Sequence, residues 1–246
     1  MSIDSAATLS PRIAAHLQTL RTKREPIEPP HRVAGRALAD WIANASGPGE
    51  PIRVVVVCTG NSRRSALGAM MGNAAAAFLG MPEVRFFSAG TTPSALNPRT
   101  IAALEAVGFE VIATGEEAPR GPEGDRNPRH LVRWGTGPDQ CAEEFSKALG
   151  DPSLPAVGFA AVMVCDEADA GCPIVPAAAV RIVTPFADPK SADGTPQEAD
   201  RYAETRDAIG RLAIDQPVHL REAVQAVALQ GLIAGRGQRG EPHALA

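Results

Sequence analysis

Ile52-Arg53-Val54-Val55-Val56-Val57 runs without a break into Cys58-Thr59-Gly60-Asn61-Ser62-Arg63-Arg64-Ser65, and an Ala- and Met-rich stretch starts there. A β-branched run with little polar alternation predicts a strand buried on both faces, as in a parallel sheet. The polar loop then lies between a buried strand and a helix, where successive backbone N–H groups can curl around an anion. Five residues separate Cys58 from Arg64, so a curled loop lets the guanidinium close the ring opposite the sulfur. Its planar fork suits two oxygens of a tetrahedral oxyanion. The same positive field favours a thiolate at Cys58, and the Ser65 hydroxyl is placed to donate to it. A lone cysteine at a strand end is ordinarily a small buried side chain. Strand, Cys-x5-Arg-Ser, interior Gly60 and Asn61, and a following helix together outweigh that reading.

Working outward, residues 84–87, 109–112, 160–164 and 180–184 read as further strands. Residues 98–107 form a helix closed by Gly108, and 197–214 a long polar-faced one. Strands alternating with helices predict an open parallel α/β sheet. Residues 1–50 read as a helical extension: Ile13, Leu17 and Leu20 mark one helix, and Pro26, Pro29 and Pro30 break the pattern. Val33, Leu38, Trp41 and Ile42 begin a second helix, which residues 46–49 end. The α/β domain itself is expected over 51–232, closing with a last helix after Pro217, and 233–246 as a flexible tail. Residues 113–159 break the rhythm: Pro119, Pro122, Pro128 and Pro138 stand among Gly and Arg. They read as an insertion over one edge of the domain, with one short helix at 142–149.

Composition narrows the partners. The chain has 246 residues, is 44% hydrophobic and carries a formal net charge of -4, enough to bury a core and too acidic for a nucleic-acid face. The apolar stretch 66–81 is too short for a membrane span and is interrupted by Asn73. No charged-then-apolar leader opens the sequence, and four cysteines are too few for a disulfide scaffold. A cytoplasmic setting with reduced thiols is the expectation, and there cysteines tend to catalyse or bind metal.

Cys165 and Cys172 flank six residues and precede Pro173. Zinc pairs use two to four intervening residues, and no histidine stands near, so no metal is expected. Two buried small side chains, or a thiol relay in which the two sulfurs meet, remain as readings.

On these residues the chain resembles the low-molecular-weight protein tyrosine phosphatase superfamily, most of all its thioredoxin-coupled three-cysteine arsenate reductases. The resemblance rests on Cys58 to Ser65, Phe87-Ser88-Ala89-Gly90-Thr91, Asn97-Pro98, the Cys165/Cys172-Pro173 segment, Asp188-Pro189 and Arg206-Asp207. It covers roughly 52–112 and 160–215. It implies a small four-stranded parallel sheet with helices on both faces, and no cofactor. It also implies an oxyanion cradle made by Thr59, Gly60, Asn61, Ser62, Arg63, Arg64 and Ser65. By that resemblance Cys58 attacks, Arg64 holds the oxyanion and Asp188 protonates the leaving oxygen. Cys165 then resolves the Cys58 adduct, and Cys172 takes the disulfide onward to thioredoxin or a similar dithiol. Cys141 has no role in that scheme.

The sequence departs from the family in three places. Arg63 stands where a cysteine is common and adds charge at the mouth. Ala69 replaces an acidic residue, so no potassium site carries over. Lys190, Ser191 and Ala192 follow Asp188-Pro189 where phosphotyrosine phosphatases often have tyrosines, and Tyr202 is the chain's only one.

Three classes of function follow: arsenate reduction through the Cys58, Cys165 and Cys172 relay, phosphate-ester hydrolysis through a phosphocysteine at Cys58, and non-catalytic oxyanion binding. The two extra cysteines favour the first. The intact Cys58, Arg64 and Asp188 disfavour the last.

Overall fold

The structure, a computed structural model, describes residues 9–23, 27–45, 51–171 and 174–215. The expected last helix, the 233–246 tail, Pro26, the 46–49 stop, and Cys172 with Pro173 lie outside them.

Two helices come first, α1 (Pro11–Thr22) and α2 (Pro29–Ala45). Ile13, Leu17 and Leu20 of α1 are buried as their spacing requires. Pro29 and Pro30 open α2 rather than precede it, since a proline in the first turn lacks only an N–H that would be unpaired anyway. Its buried side is Ala34, Gly35, Ala39 and Ile42, and Val33 faces solvent.

The core alternates as expected: β1 (Ile52–Cys58), α3 (Arg64–Phe78), β2 (Val84–Gly90) and α4 (Pro98–Glu105). After an inserted region come β6 (Phe159–Met163), α5 (Asp166–Gly171), β7 (Ala178–Val183) and α6 (Glu198–Asp215). The four strands form a parallel sheet in the order β2-β1-β6-β7. The crossover from β1 to β2 and that from β6 to β7 run in opposite directions along the sheet. Right-handed crossovers of opposite direction put their helices, α3 and α5, on opposite faces. The C-terminal end of β1 is therefore the point where the winding reverses, the usual crevice for a ligand in such sheets. α3 is apolar all round and almost wholly buried, as a helix enclosed by neighbours must be. Its one amide, Asn73, pairs both backbone groups of Phe86 on edge strand β2, its Oδ1 accepting at 2.9 Å and its Nδ2 donating at 2.8 Å.

The region 113–159 corrects the expectation. It is built on a second sheet, antiparallel, of β3 (Glu110–Glu117), β4 (Pro128–Arg133) and β5 (Cys141–Glu144). The strand expected at 109–112 belongs to this sheet. No helix forms at 142–149. Ala142, Phe145 and Leu149 have helical spacing, but β5 pairs with β4 over 141–144. Leu149 N–H then donates to the Gly90 carbonyl at 3.1 Å, at the end of β2. Sheet pairing here overrides local propensity. Residues 146–149 thus tie the inserted sheet to the site end of the parallel one.

Candidate active site

Parallel register aligns the strand ends: Cys58 lies opposite Gly90 on one side, and Val57 opposite Met163 on the other. The pairing continues past the strands, with Thr184 N–H to Met163 O at 2.9 Å and Phe186 N–H to Val164 O at 3.0 Å. Residues 58–65, 165 and 186–188, far apart in sequence, are therefore delivered to one edge by backbone geometry alone.

The carbonyls of the 58–62 loop are engaged by the flanking segment. Those of Cys58 and Thr59 accept from the N–H groups of Thr91 (3.1 Å) and Thr92 (2.9 Å). That of Gly60 accepts from Ser94 N–H at 3.0 Å, and that of Ser62 from Asn97 N–H at 3.1 Å and the Thr100 hydroxyl at 3.0 Å. In a planar trans peptide the N–H opposes the C=O. The N–H groups of Thr59, Gly60, Asn61 and Arg63 accordingly point away from that segment, into the ring. Asn61 turns the loop at φ 44°, a left-handed conformation that asparagine tolerates better than most residues. The loop also needs Gly90, because a Cβ there would lie 2.6 Å from the Thr59 carbonyl.

Cys58 is buried at the base, its Sγ 3.1 Å from Ser65 Oγ. Asn61 Nδ2 donates to that hydroxyl at 2.9 Å. Arg64, also buried, donates to the Phe186 carbonyl at 3.0 Å and to Asp188 Oδ2 at 2.7 Å, with Glu167 at 3.8 Å. Asp188 caps a short 3-10 turn (Pro189–Ala192), its Oδ1 accepting from Lys190 N–H at 3.0 Å. Pro189 at the first position of that turn fixes its φ without losing a needed donor.

Arg63 differs from its expected part. It lines the cavity, but its Nε donates to Tyr202 Oη at 2.7 Å and its fork to Asp193 at 3.2 Å. Burial works against the Arg63 charge, yet the Tyr202 bond and the nearby Asp188 and Asp193 carboxylates outweigh it and raise its pKa. Tyr202 is pushed up to about 12, first by burial and then by its bond to Asp193, against the pull of Arg63. The extra guanidinium therefore stays charged and paired within the fold, and the chain's only tyrosine is one of its partners.

Cys165 is a buried free thiol. Its Sγ lies 3.5 Å from the Thr59 hydroxyl and receives the Ala168 N–H at 3.4 Å. It stands beside the loop. Cys172 is outside the described residues. Cys141 is half-buried at the start of β5.

Cys58, Thr59, Gly60, Arg63, Arg64 and Asp188 line a cavity of about 520 Å³, together with Thr92, Ser94 and Asn97 and with Glu123 and Asp125 from the inserted region; Cys165 stands outside its lining. The sequence offered no sign of those two carboxylates, nor of His31 on α2. That imidazole stacks on Phe186 at 4.4 Å and lies 2.7 Å from the Pro185 carbonyl, so the N-terminal extension touches the segment that leads to Asp188. Among the described residues no three side chains could jointly hold a metal, and no helix is long and apolar enough to cross a membrane.

No protein-family model and no curated protein matches the sequence. Similar solved structures include a low molecular weight protein tyrosine phosphatase from Bacillus subtilis, 16% identical over 70% of this chain and 98% of that one, TM-score 0.43. Another, from T. tengcongensis, is 17% identical over 68% and 98%, TM-score 0.40. The thioredoxin-dependent arsenate reductase Cg_ArsC1' of Corynebacterium glutamicum is 15% identical over 88% and 96%, TM-score 0.38.

Proposed function

We propose that the chain is a thiolate enzyme acting on a tetrahedral oxyanion, and that its reaction is reduction of arsenate to arsenite through Cys58, Cys165 and Cys172. The observation that carries this is the juxtaposition at one sheet edge: Cys58 under an N–H ring, Arg64 fixed at 2.7 Å from Asp188, and Cys165 3.5 Å from the loop hydroxyl of Thr59.

Cys58 thiolate attacks arsenic(V), and the departing oxygen takes its proton from Asp188 and leaves as water. Arg64 and the loop N–H groups carry the charge of the anion during this step. The oxyanion competes with Asp188 for the Arg64 nitrogen, which frees the carboxyl group for proton transfer. Cys165 thiolate then attacks the Cys58 sulfur. The sulfur–arsenic bond breaks with its electron pair going to arsenic, arsenite departs, and a Cys58–Cys165 disulfide remains. Cys172 attacks Cys165, returning Cys58 as a thiol and leaving a Cys165–Cys172 disulfide for thioredoxin or a similar dithiol to reduce.

Phosphate-ester hydrolysis is the second reading. The observation favouring it is the size of the cavity, lined also by Glu123 and Asp125, more room than an inorganic oxyanion occupies. It uses Cys58, Arg64 and Asp188 only, with water cleaving a phosphocysteine.

Thioredoxin-coupled arsenate turnover, measured beside aryl phosphate hydrolysis on one preparation, tests the choice. Reductase turnover that stops in Cys165→Ser, with ester hydrolysis intact, is expected. Hydrolysis without any arsenate turnover would transfer the assignment to the phosphatase.

A further inference from the structure

Asn127 lies just ahead of β4, wholly buried. Its Oδ1 accepts from the Ser146 N–H at 3.0 Å, and its Nδ2 donates to the carbonyls of Ser146 at 2.7 Å and Pro119 at 2.9 Å. One side chain thus fixes both peptide groups of Ser146 and joins two loops of the inserted region.

From that anchored peptide two bonds reach the 58–65 loop. The first is the Ser146 hydroxyl. It accepts from Ser94 N–H at 2.9 Å, so its own proton goes to the Gly60 carbonyl at 2.8 Å. That bond shares the carbonyl with the Ser94 N–H at 3.0 Å and the Ser94 hydroxyl at 3.2 Å, and is the shortest of the three. The second is the Lys147 N–H, which donates to Asn61 Oδ1 at 2.8 Å. A backbone N–H can only donate, so the Asn61 carboxamide must turn its oxygen to Lys147 and its NH₂ to Ser65. Ser65 then accepts from Asn61, and when Cys58 is a thiolate, which can only accept, the hydroxyl proton is directed at its Sγ. In the branch through Lys147, Asn61 and Ser65 every link donates toward the sulfur and each donor polarises the next, while the Ser146 hydroxyl ends on the Gly60 carbonyl and fixes the loop that carries Asn61. Such a chain favours a sulfur that accepts.

We propose that Asn127 and Ser146 of the inserted region are positioning residues for Cys58, aligning the chain of donors that keeps this thiol reactive. The inference rests on the reading above in that it needs Cys58 to be the nucleophile. It assigns the inserted sheet a part in catalysis although none of its residues touches the sulfur.

The test is the rate of iodoacetamide alkylation of each cysteine, followed by peptide mass mapping, in wild type, Asn127→Ala, Ser146→Ala and Ser146→Thr. At neutral pH, Cys58 alkylation should fall about tenfold in the two alanine variants, the scale of one lost hydrogen bond, and recover in Ser146→Thr, which restores the hydroxyl. At about pH 10, where thiols are largely ionised, all four should react alike. A general loosening of the fold would instead speed alkylation at both pH values, and that outcome overturns the inference. Unchanged neutral-pH rates in folded alanine variants also overturn it and leave Cys58 as nucleophile. If Asn127→Ala does not fold, the Ser146 pair decides by the same criterion. Wild-type Cys58 reacting no faster than Cys141, an internal reference, would sink the nucleophile reading itself.

Discussion

The parallel sheet buries every residue of β6 and all but one of β1, whereas β3 of the inserted sheet leaves all of 110–117 at least partly exposed. The two sheets contribute to the site in correspondingly different ways. The buried sheet sets where Cys58, Cys165 and the Asp188 loop lie, because its central strands are packed on both faces and a slip would force the whole core to repack. The inserted region that the exposed one anchors reaches the 58–65 loop through hydrogen bonds from Ser146 and Lys147. Placement is thus over-determined by packing, while alignment rests on a few polar contacts. Substitutions in the first group should remove activity or fold, and those in the second should tune it.

The largest effects belong at the end of β1. On the proposed function, Cys58→Ser and Arg64→Ala should each lower turnover of any tetrahedral oxyanion by more than about 10³-fold, since the one would remove the nucleophile and the other the clamp. Steady-state rates with arsenate and with an aryl phosphate would show it, and near-normal rates in either variant would dissolve the distinction between the sheets.

Asp188→Asn comes next. With poor leaving groups the rate should fall roughly 10²–10⁴-fold, and with good ones much less, if the carboxyl group supplies a proton. A series of aryl phosphates of graded leaving-group acidity measures this, and an equal small loss across it would make Asp188 only a turn cap.

Packing of the parallel sheet is tested by Gly72→Ala on α3. The new Cβ would lie 2.5 Å from a ring carbon of Phe86, and overpacking of that kind costs about 1–3 kcal/mol. Thermal unfolding should register the loss, with the remaining folded protein fully active.

The smallest expected effect concerns the docking of α1 on α6. Asp207 bonds His16 at 2.9 Å and Arg206 at 2.7 Å. Burial raises the carboxyl pKa, but those two partners outweigh it and leave it lowered. A lowered carboxylate stabilises the fold above its unfolded value, about 3.9, and that contribution disappears as pH falls through the folded value below it. Asp207→Asn should therefore cost about 1–2 kcal/mol at neutral pH, with the gap in unfolding temperature closing below about pH 4. A gap that persists there would assign the effect to packing.

The same contrast explains what the sequence could convey. The unbroken run 52–57 and the loop after it are local signals, so the parallel sheet and Cys58, Arg64 and Ser65 could be read directly. Asp188 and Cys165 were singled out by their short motifs, and the structure places each in the segment that follows a strand, β7 and β6. The inserted sheet was not legible. Its strands carry Glu110, Glu116, Glu117, Arg129 and Glu143 with little apolar alternation, and Phe145 and Leu149 imitate a helix. Asn127 and Ser146 act through buried polar bonds between residues 19 apart and, to Gly60, 86 apart, a relation with no sequence period. An asparagine before Pro128, in a polar stretch, reads only as a turn.

The central claim, that Cys58 and Cys165 act in one redox sequence, is tested most directly in Cys172→Ser. After exposure to arsenate without reductant, peptide mass mapping should find a Cys58–Cys165 disulfide accumulating in step with arsenite release, because the thiol that would carry the oxidation onward is gone. Free thiols at both positions, in protein that still hydrolyses aryl phosphates, would contradict it.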